Sequence, residues 1–214
     1  PCGLFGSIRD PNAVIKNLGL VDPNVQTTAV AAVGGLVGYL WEGTVQDCYV
    51  SGGRIAGCQT VGGLVGCVRL AGKITGCHST AAVSGVSRIG GLAGENGGII
   101  SNCWSVASVS GDFWGVGGLV GRNGVSLATG GDEPGRIRNS YAGGTVRGDT
   151  NIGGLVGYNE YSSIADCYST ASVTGNSEVG GLAGEQNFGS IIRSYAVGRV
   201  TGDERVGGLV GMAY

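Results

Sequence analysis

Several groups of side chains in this sequence could do chemistry, and each recurs at a spacing that limits what that chemistry can be. Cys48, Cys77, Cys103 and Cys167 occupy one position of a periodic pattern, filled by Ser140 and Ser194 in the two remaining instances. Cys2, Cys58 and Cys67 stand apart, and a total of seven leaves at least one thiol unpaired or intermolecular. Directly after the Cys/Ser position comes a column of rings: Tyr49, His78, Trp104, Tyr141, Tyr168 and Tyr195. His78 is the only histidine, so no zinc triad of the usual types can be written. One more member of a ring column explains it better than a general base. Asp112, Asp149 and Asp203 follow a recurring Gly, where turns favour Asp, and no Asp-x-Asp-x-Asp-Gly calcium loop occurs. No catalytic residue, metal ligand or cofactor is assigned, and the chain is expected not to be an enzyme.

Two binding readings remain. The rings at Tyr49, His78, Trp104, Tyr141, Tyr168 and Tyr195 are flanked by Ser and Thr, a combination that could hold a host or matrix glycan. Ladder stacking between repeats is the simpler reading. For the Cys column, stacked strands about 4.8 Å apart fall within disulfide range, yet in-register side chains point alongside each other and would strain the bond. Free buried thiols are expected there, with a small inward residue as the only requirement. Cys2 is the candidate for an intermolecular disulfide.

The elements that carry these columns are set by one pentad. Gly34-Gly35-Leu36-Val37-Gly38 returns as Gly-Gly-Leu-(Val/Ala)-Gly from Gly62, Gly90, Gly117, Gly153, Gly180 and Gly207, mostly 27 or 28 residues apart. A unit this small cannot bury its own apolar face, so stability must come from stacking on neighbours. Ile152 to Gly175 shows the grammar: an apolar run, a polar turn over Tyr158 to Ser163, then alternation with Cys167, Ser169, Ala171 and Val173 on one face and Tyr168, Thr170, Ser172 and Thr174 on the other. The expected fold is an all-β, right-handed parallel β-solenoid (β-helix) of about seven coils, each of roughly 27 residues and three short strands. Its core column is Leu36, Leu64, Leu92, Leu119, Leu155, Leu182 and Leu209. Asp47, Asn102, Asn139 and Asp166, just before the Cys/Ser position, fit a left-handed bend. Gly57, Gly85, Gly111, Gly148, Gly175 and Gly202 are expected to supply positive φ at a corner. The pentad itself is hard to orient. Val33 and Leu36 alternate out of phase, which predicts either a strand buried on both faces or an apolar stripe outside. Residues 1–214 read as a single continuous repeat domain, with 122–136 an inserted surface loop and 19–32 an enlarged first-coil loop.

Glycine is 46 of 214 residues, but with 42% hydrophobic residues at fixed phase and four Pro the chain reads as a packed body, not as collagen or linker. A net charge of −2 without a basic cluster disfavours nucleic acid and anionic lipid, and no apolar run is long enough to span a bilayer.

The Gly-Gly-Leu-Val-Gly pentad followed by Ile164-Ala165-Asp166-Cys167-Tyr168-Ser169-Thr170-Ala171-Ser172-Val173-Thr174-Gly175 closely resembles the GLUG-motif repeat, and Gly3-Leu4-Phe5-Gly6 looks like its first-coil form. That resemblance implies a segment of a bacterial surface or secreted protein, of the kind found in adhesins and in non-catalytic parts of immunoglobulin A peptidases. It implies no reaction. The expected function is structural or adhesive, as a stalk, fibre or filament block that stacks end to end with itself or with flanking repeats of a longer parent. A carbohydrate-binding module using the ring column is the alternative, and a non-catalytic region of a larger secreted peptidase the third. The expected location is extracellular or on the cell surface.

Overall fold

The computed structural model describes residues 1–28, 32–69, 71–126 and 132–214, and every regular element among them is a β-strand. One coil explains the rest. Thr150–Gly153, Val156–Glu160, Ser163–Ala165, Tyr168–Ser169 and Ser172–Thr174 are short strands with two residues between each and the next. Each pairs in parallel with its counterparts in the coils on either side. The coils thereby build four sheets: a first of seven strands holding the Val/Ile column, a second of eight, a third of seven, and a fourth of twelve. Pairing is in register along the whole first sheet, from Val33 through Val61, Ile89, Val116, Ile152 and Val179 to Val206. The chain is a parallel β-solenoid of about seven turns.

The coil is cut more finely than the three strands expected, because the pentad is not one strand. Gly35 and Leu36 form a bend that carries the chain from the first sheet, ending at Gly34, into the second, starting at Val37. That bend removes the parity conflict: Val33, Leu36 and Val37 are all fully buried. Each glycine of the pentad answers to a different neighbour. A Cβ on Gly62 would strike the carbonyl of Val65, and one on Gly66 would strike the backbone of Val33 and Gly38. One on Gly63 would strike the Ser79 hydroxyl in the fourth sheet. The inner column of that sheet (Ser79, Ser105, Ala142, Ser169) is small for this reason, since it faces the second glycine of each pentad.

The bends before the fourth sheet are left-handed at Asn17, Asp47, Asn102, Asn139 and Asp166, with φ between 48° and 56°. Gly76 (64°) and Arg193 (45°) take the same conformation. The corner glycines are different. Gly57, Gly85, Gly111, Gly148, Gly175 and Gly202 are absent from the positive-φ positions, and what they require is space. A Cβ on Gly57 would lie 2.8 Å from a methyl of Val33, and one on Gly85 2.6 Å from Ile89 Cδ1. The Val/Ile column of the first sheet packs directly onto this glycine column.

Residues 19–32 are not an enlarged loop. Gly19–Val21 and Asn24–Gln26 are strands of the fourth sheet, pairing with Tyr49–Ser51 and Arg54–Ala56. The pattern was masked because Leu18 stands at the Cys position and Gly19 at the ring position. Ala32 already opens the first-sheet strand Ala32–Gly34, and 29–31 lie outside the described residues. In the 122–136 insertion, Arg122 and Asn123 still belong to the second sheet and Arg136 opens a third-sheet strand. Between them Val125–Ser126 pairs antiparallel with Asp132–Glu133, and 127–131 lie outside the described residues.

The core runs as one cluster through the coils. Leu36, Leu64, Leu92, Leu119, Leu155 and Leu182 are fully buried, and backbone hydrogen bonds of 2.8–2.9 Å link successive members. Leu209, in the last coil, is 41% exposed because no coil of this chain packs on its outer side.

Candidate functional site

The six ring residues form one continuous stack. Centroid separations run 5.3 Å (Tyr49 to His78), 4.2 Å (His78 to Trp104), 5.9 Å (Trp104 to Tyr141), 4.9 Å (Tyr141 to Tyr168) and 5.2 Å (Tyr168 to Tyr195). Interplanar angles of 5–7° make the rings parallel. In-register pairing dictates this, since His78, Trp104, Tyr141, Tyr168 and Tyr195 face one another strand to strand. The interior rings therefore present edges to solvent, because their faces cover each other. Tyr49 leans over Gly19, where any side chain would collide with its ring. His78 is held toward its neutral form by burial, which suits a stacking member.

The Cys/Ser column is a hydrogen-bond ladder, and this modifies the expectation that any small residue would do. Each sulfur or hydroxyl donates to the carbonyl two residues earlier: Cys48 to Gln46 (3.2 Å), Cys103 to Ser101 (3.1 Å), Cys167 to Ala165 (3.1 Å), Ser140 to Arg138 (2.8 Å). Four members, Cys77, Cys103, Ser140 and Ser194, also accept a backbone N–H from the preceding coil: Cys48 N–H to Cys77 Sγ (3.3 Å), Cys77 to Cys103 Sγ (3.4 Å), Cys103 to Ser140 Oγ (3.1 Å), Cys167 to Ser194 Oγ (3.1 Å). All seven cysteines are free. Burial pushes the Cys48 thiol up and that of Cys167 up to about 11. The hydrogen bond between Cys77 and Cys103 pushes Cys77 up and Cys103 down, since the proton kept on one sulfur favours a thiolate on the other, while burial opposes ionisation at both. Cys67 is pushed well up, first by complete burial and then by the Glu95 carboxylate. Its Sγ lies 3.7 Å from Glu95 Oε2. A protonated thiol beside a carboxylate with no imidazole is poorly prepared for nucleophilic attack. Cys2 is half-buried and bridges to Val33, its N–H reaching the Ala32 carbonyl at 2.9 Å.

Two further arrays escaped the sequence reading. Asn96, Asn123, Asn159 and Gln186 lie at or one residue before the ends of successive second-sheet strands and form a buried amide ladder, with every Nδ2 to side-chain oxygen distance 2.7 Å. The signal was present as an amide two residues after each of those pentads, but the insertion breaks its period. The second array is charged. Arg88 pairs with Glu95 at 3.3 Å and Arg122 with Glu95 at 3.8 Å; Arg122 also pairs with Glu160, and Arg205 with Glu178 at 3.1 Å. Arg88 lies over the Trp114 ring and Arg122 over that of Tyr158. Asn151 Nδ2 donates to both Glu178 and Glu185 at 2.5 Å. Burial, then the Glu178 charge, raises Glu185. Burial pushes Tyr158 up to about 12. Each carboxylate here is engaged by a cation or amide of its own or a neighbouring coil, which is how a coupling network is built. Among the described residues, no three His, Cys, Asp or Glu side chains are grouped to hold a metal ion. Among the same described residues no helix is long and apolar enough to cross a membrane.

Fold and columns together define a class: a parallel β-solenoid whose coils are tied by in-register side-chain ladders. More particularly, the family model of the GLUG motif matches residues 29–56 and 148–174, so that in those two stretches the chain is similar to GLUG-motif repeats. Among solved structures it is similar to a crystal structure from Bacteroides ovatus, a protein provisionally named immunoglobulin A1 protease, at 21% identity and a TM-score of 0.71. The match covers 92% of this chain and 66% of that one, just under two thirds. At that identity the likeness speaks for the fold alone. No curated protein matches significantly.

Proposed function

We propose that this chain is a non-catalytic structural or adhesive repeat segment of an extracellular or cell-surface protein, a stiff rod assembled from coils. One observation supports it above the others. The side chains with chemical potential, the thiols, rings, amides and ion pairs, bond mainly to their equivalents one coil away. Such residues are committed to coupling the coils and are not gathered at a cleft. The partners proposed are more coils, from flanking repeats or from a second copy. In the first described coil Leu4, Val14 and Val21 are exposed, and in the last Ile192, Val197 and Leu209, apolar groups that another coil would bury. Cys2 is placed in the first coil, where an oxidised joint would form. The glycan reading of the ring column is weakened by its geometry, since a sugar needs a ring face and the interior faces are taken.

The test has two arms. Sedimentation of native material with and without reductant should show association beyond the 21.3 kDa chain. A strictly monomeric species under both conditions would remove self-stacking. Incubation with immunoglobulin A1, the substrate named for the structural neighbour, should leave the antibody intact; cleavage that survives repurification would overturn the non-catalytic reading.

A further inference from the structure

Most side chains with chemical potential couple one coil to the next, but Arg54, Asp112 and Phe113 do not. Arg54 and Asp112 are exposed, and neither makes a side-chain hydrogen bond or ion pair with the described residues. Phe113 is 56% exposed and stacks on no other ring among the described residues. All three belong to coils with a further coil of this chain on each side, so end-to-end stacking leaves them open.

Register explains why they border one hollow. Near the ends of the fourth-sheet strands, Gln26, Ala56, Ser84, Ser110 and Arg147 follow one another in register, so three small side chains lie between two long ones. Gly57 and Gly85, next along the chain, add no side chain to that floor. In the coil of Ser110 the corner is one residue longer: Gly111 to Gly115 turn it, where Gly85 to Arg88 and Gly148 to Asn151 suffice in the coils on either side. The extra residue leaves Asp112 and Phe113 standing out as a rim. Phe113 N–H bonds to the Val86 carbonyl at 2.8 Å, which sets the ring residue beside Val86, itself 39% exposed. The hollow is an open groove of about 720 Å³ lined by Arg54, Ser84, Val86, Ser110 and Asp112, with Gln26 and Thr28 of the first coil at its far edge. A coil stacked on the first would lie beyond that edge. The volume is within the roughly 300–1,000 Å³ of small-molecule sites, and the Ser84 and Ser110 hydroxyls make no side-chain hydrogen bond with the described residues.

A free cation and a free carboxylate bordering one groove select a ligand with opposite charges at its two ends. Arg54 and Asp112 are two coils apart, about 10 Å along the rod, which is about the span of three extended residues. We propose that this groove binds a short peptide of about three residues with free termini. Its carboxylate pairs with Arg54, its ammonium with Asp112, its first, apolar side chain packs on Val86 and Phe113, and its amides bond to Ser84 and Ser110. The site goes beyond the structural role above, because a rod can stack without the peptide and a single chain can bind it.

The experiment is calorimetric titration of the whole chain with leucyl-alanyl-alanine, its N-acetyl form and its C-terminal amide, with cellotetraose and tetragalacturonate as competing occupants. The free tripeptide is expected to bind, and each cap to weaken it several-fold. Arg54→Gln should weaken the free peptide about as much as the amide cap does and leave the amide form unaffected. Asp112→Asn should stand in the same relation to the acetyl form. Neither residue has a side-chain bond to lose, so the melting temperature should not change. Ser84→Leu, which fills the floor, should abolish binding. The proposal is overturned if the free tripeptide does not bind, if the caps or the charge variants change nothing, if Ser84→Leu binds as before, or if an oligosaccharide binds and the tripeptide does not.

Discussion

At the bend into the fourth sheet, the amide of Cys77 is received by Cys103 Sγ, and the same sulfur donates to the Ser101 carbonyl. A hydroxyl performs both tasks at Ser140 and Ser194, so cysteine serves here as a larger serine. Cys103→Ser should therefore change stability by under about 1 kcal/mol, while Cys103→Ala leaves a buried N–H without acceptor and should cost about 1–3 kcal/mol. Urea melts of both variants decide this, and equal losses would reject the ladder's energetic role. Glu185 makes a second residue-scale prediction. Its folded pKa is raised by burial and by Glu178, so the folded state binds more protons than the unfolded chain between the ordinary glutamate value and the raised one. Stability should be greatest below the ordinary value and fall as pH rises through the raised one. Glu185→Gln should flatten the melting temperature between pH 4 and 7.5 and raise it at the upper end. An unaltered profile would show that Asn151 and Arg205 fully compensate the charge.

At the scale of an element, each strand is too short to persist alone and is held by what its equivalents present one coil away. Asn123 lies mid-ladder, accepting from Asn96 and donating to Asn159. Asn123→Leu removes both bonds and strands two buried amides, a cost of about 2–5 kcal/mol in which the neighbours' lost hydrogen bonds outweigh any gain from the apolar side chain. Denaturant titration measures it, and a neutral result would mean the amides find other partners. The ring column was legible as a column because a ring residue (Tyr, His or Trp) recurs directly after each Cys/Ser. The amide ladder was not, because Asn96, Asn123, Asn159 and Gln186 sit among Glu, Arg, Tyr and Gly that read as turn residues. Likewise the corner glycines were read as conformational, since a sequence does not show that a neighbouring Val or Ile side chain occupies the place of their Cβ.

Across the whole molecule, coil-to-coil stacking makes stability a sum of nearest-neighbour terms. Leu155 is fully buried between Leu119 and Leu182, tied to both by backbone hydrogen bonds of 2.9 and 2.8 Å. Leu155→Ala should cost about 2–5 kcal/mol. Faster hydrogen exchange should centre on the coils of Leu119, Leu155 and Leu182 and fade toward Leu36. Uniform acceleration along the rod would show instead a single cooperative unit.

What the sequence by itself determined is the period, and with it the solenoid: a pentad returning mostly every 27 or 28 residues can bury its Leu only by stacking. It also determined the left-handed bends at Asp47, Asn102, Asn139 and Asp166, because a short polar side chain tolerates that backbone wherever it occurs. Direction was decided by the tertiary structure. Whether Val33 and Leu36 share an interior depends on a bend at Gly35, and whether six rings offer faces or edges depends on register between strands some 27 residues apart. The free ring of Phe113 belongs to the same category. Its type looks ordinary in a turn, and only the folded chain shows it exposed and unstacked, beside a groove that Arg54 and Asp112 line. Period is a property of one chain read along its length, whereas facing is a property of two coils, and only packing brings them together.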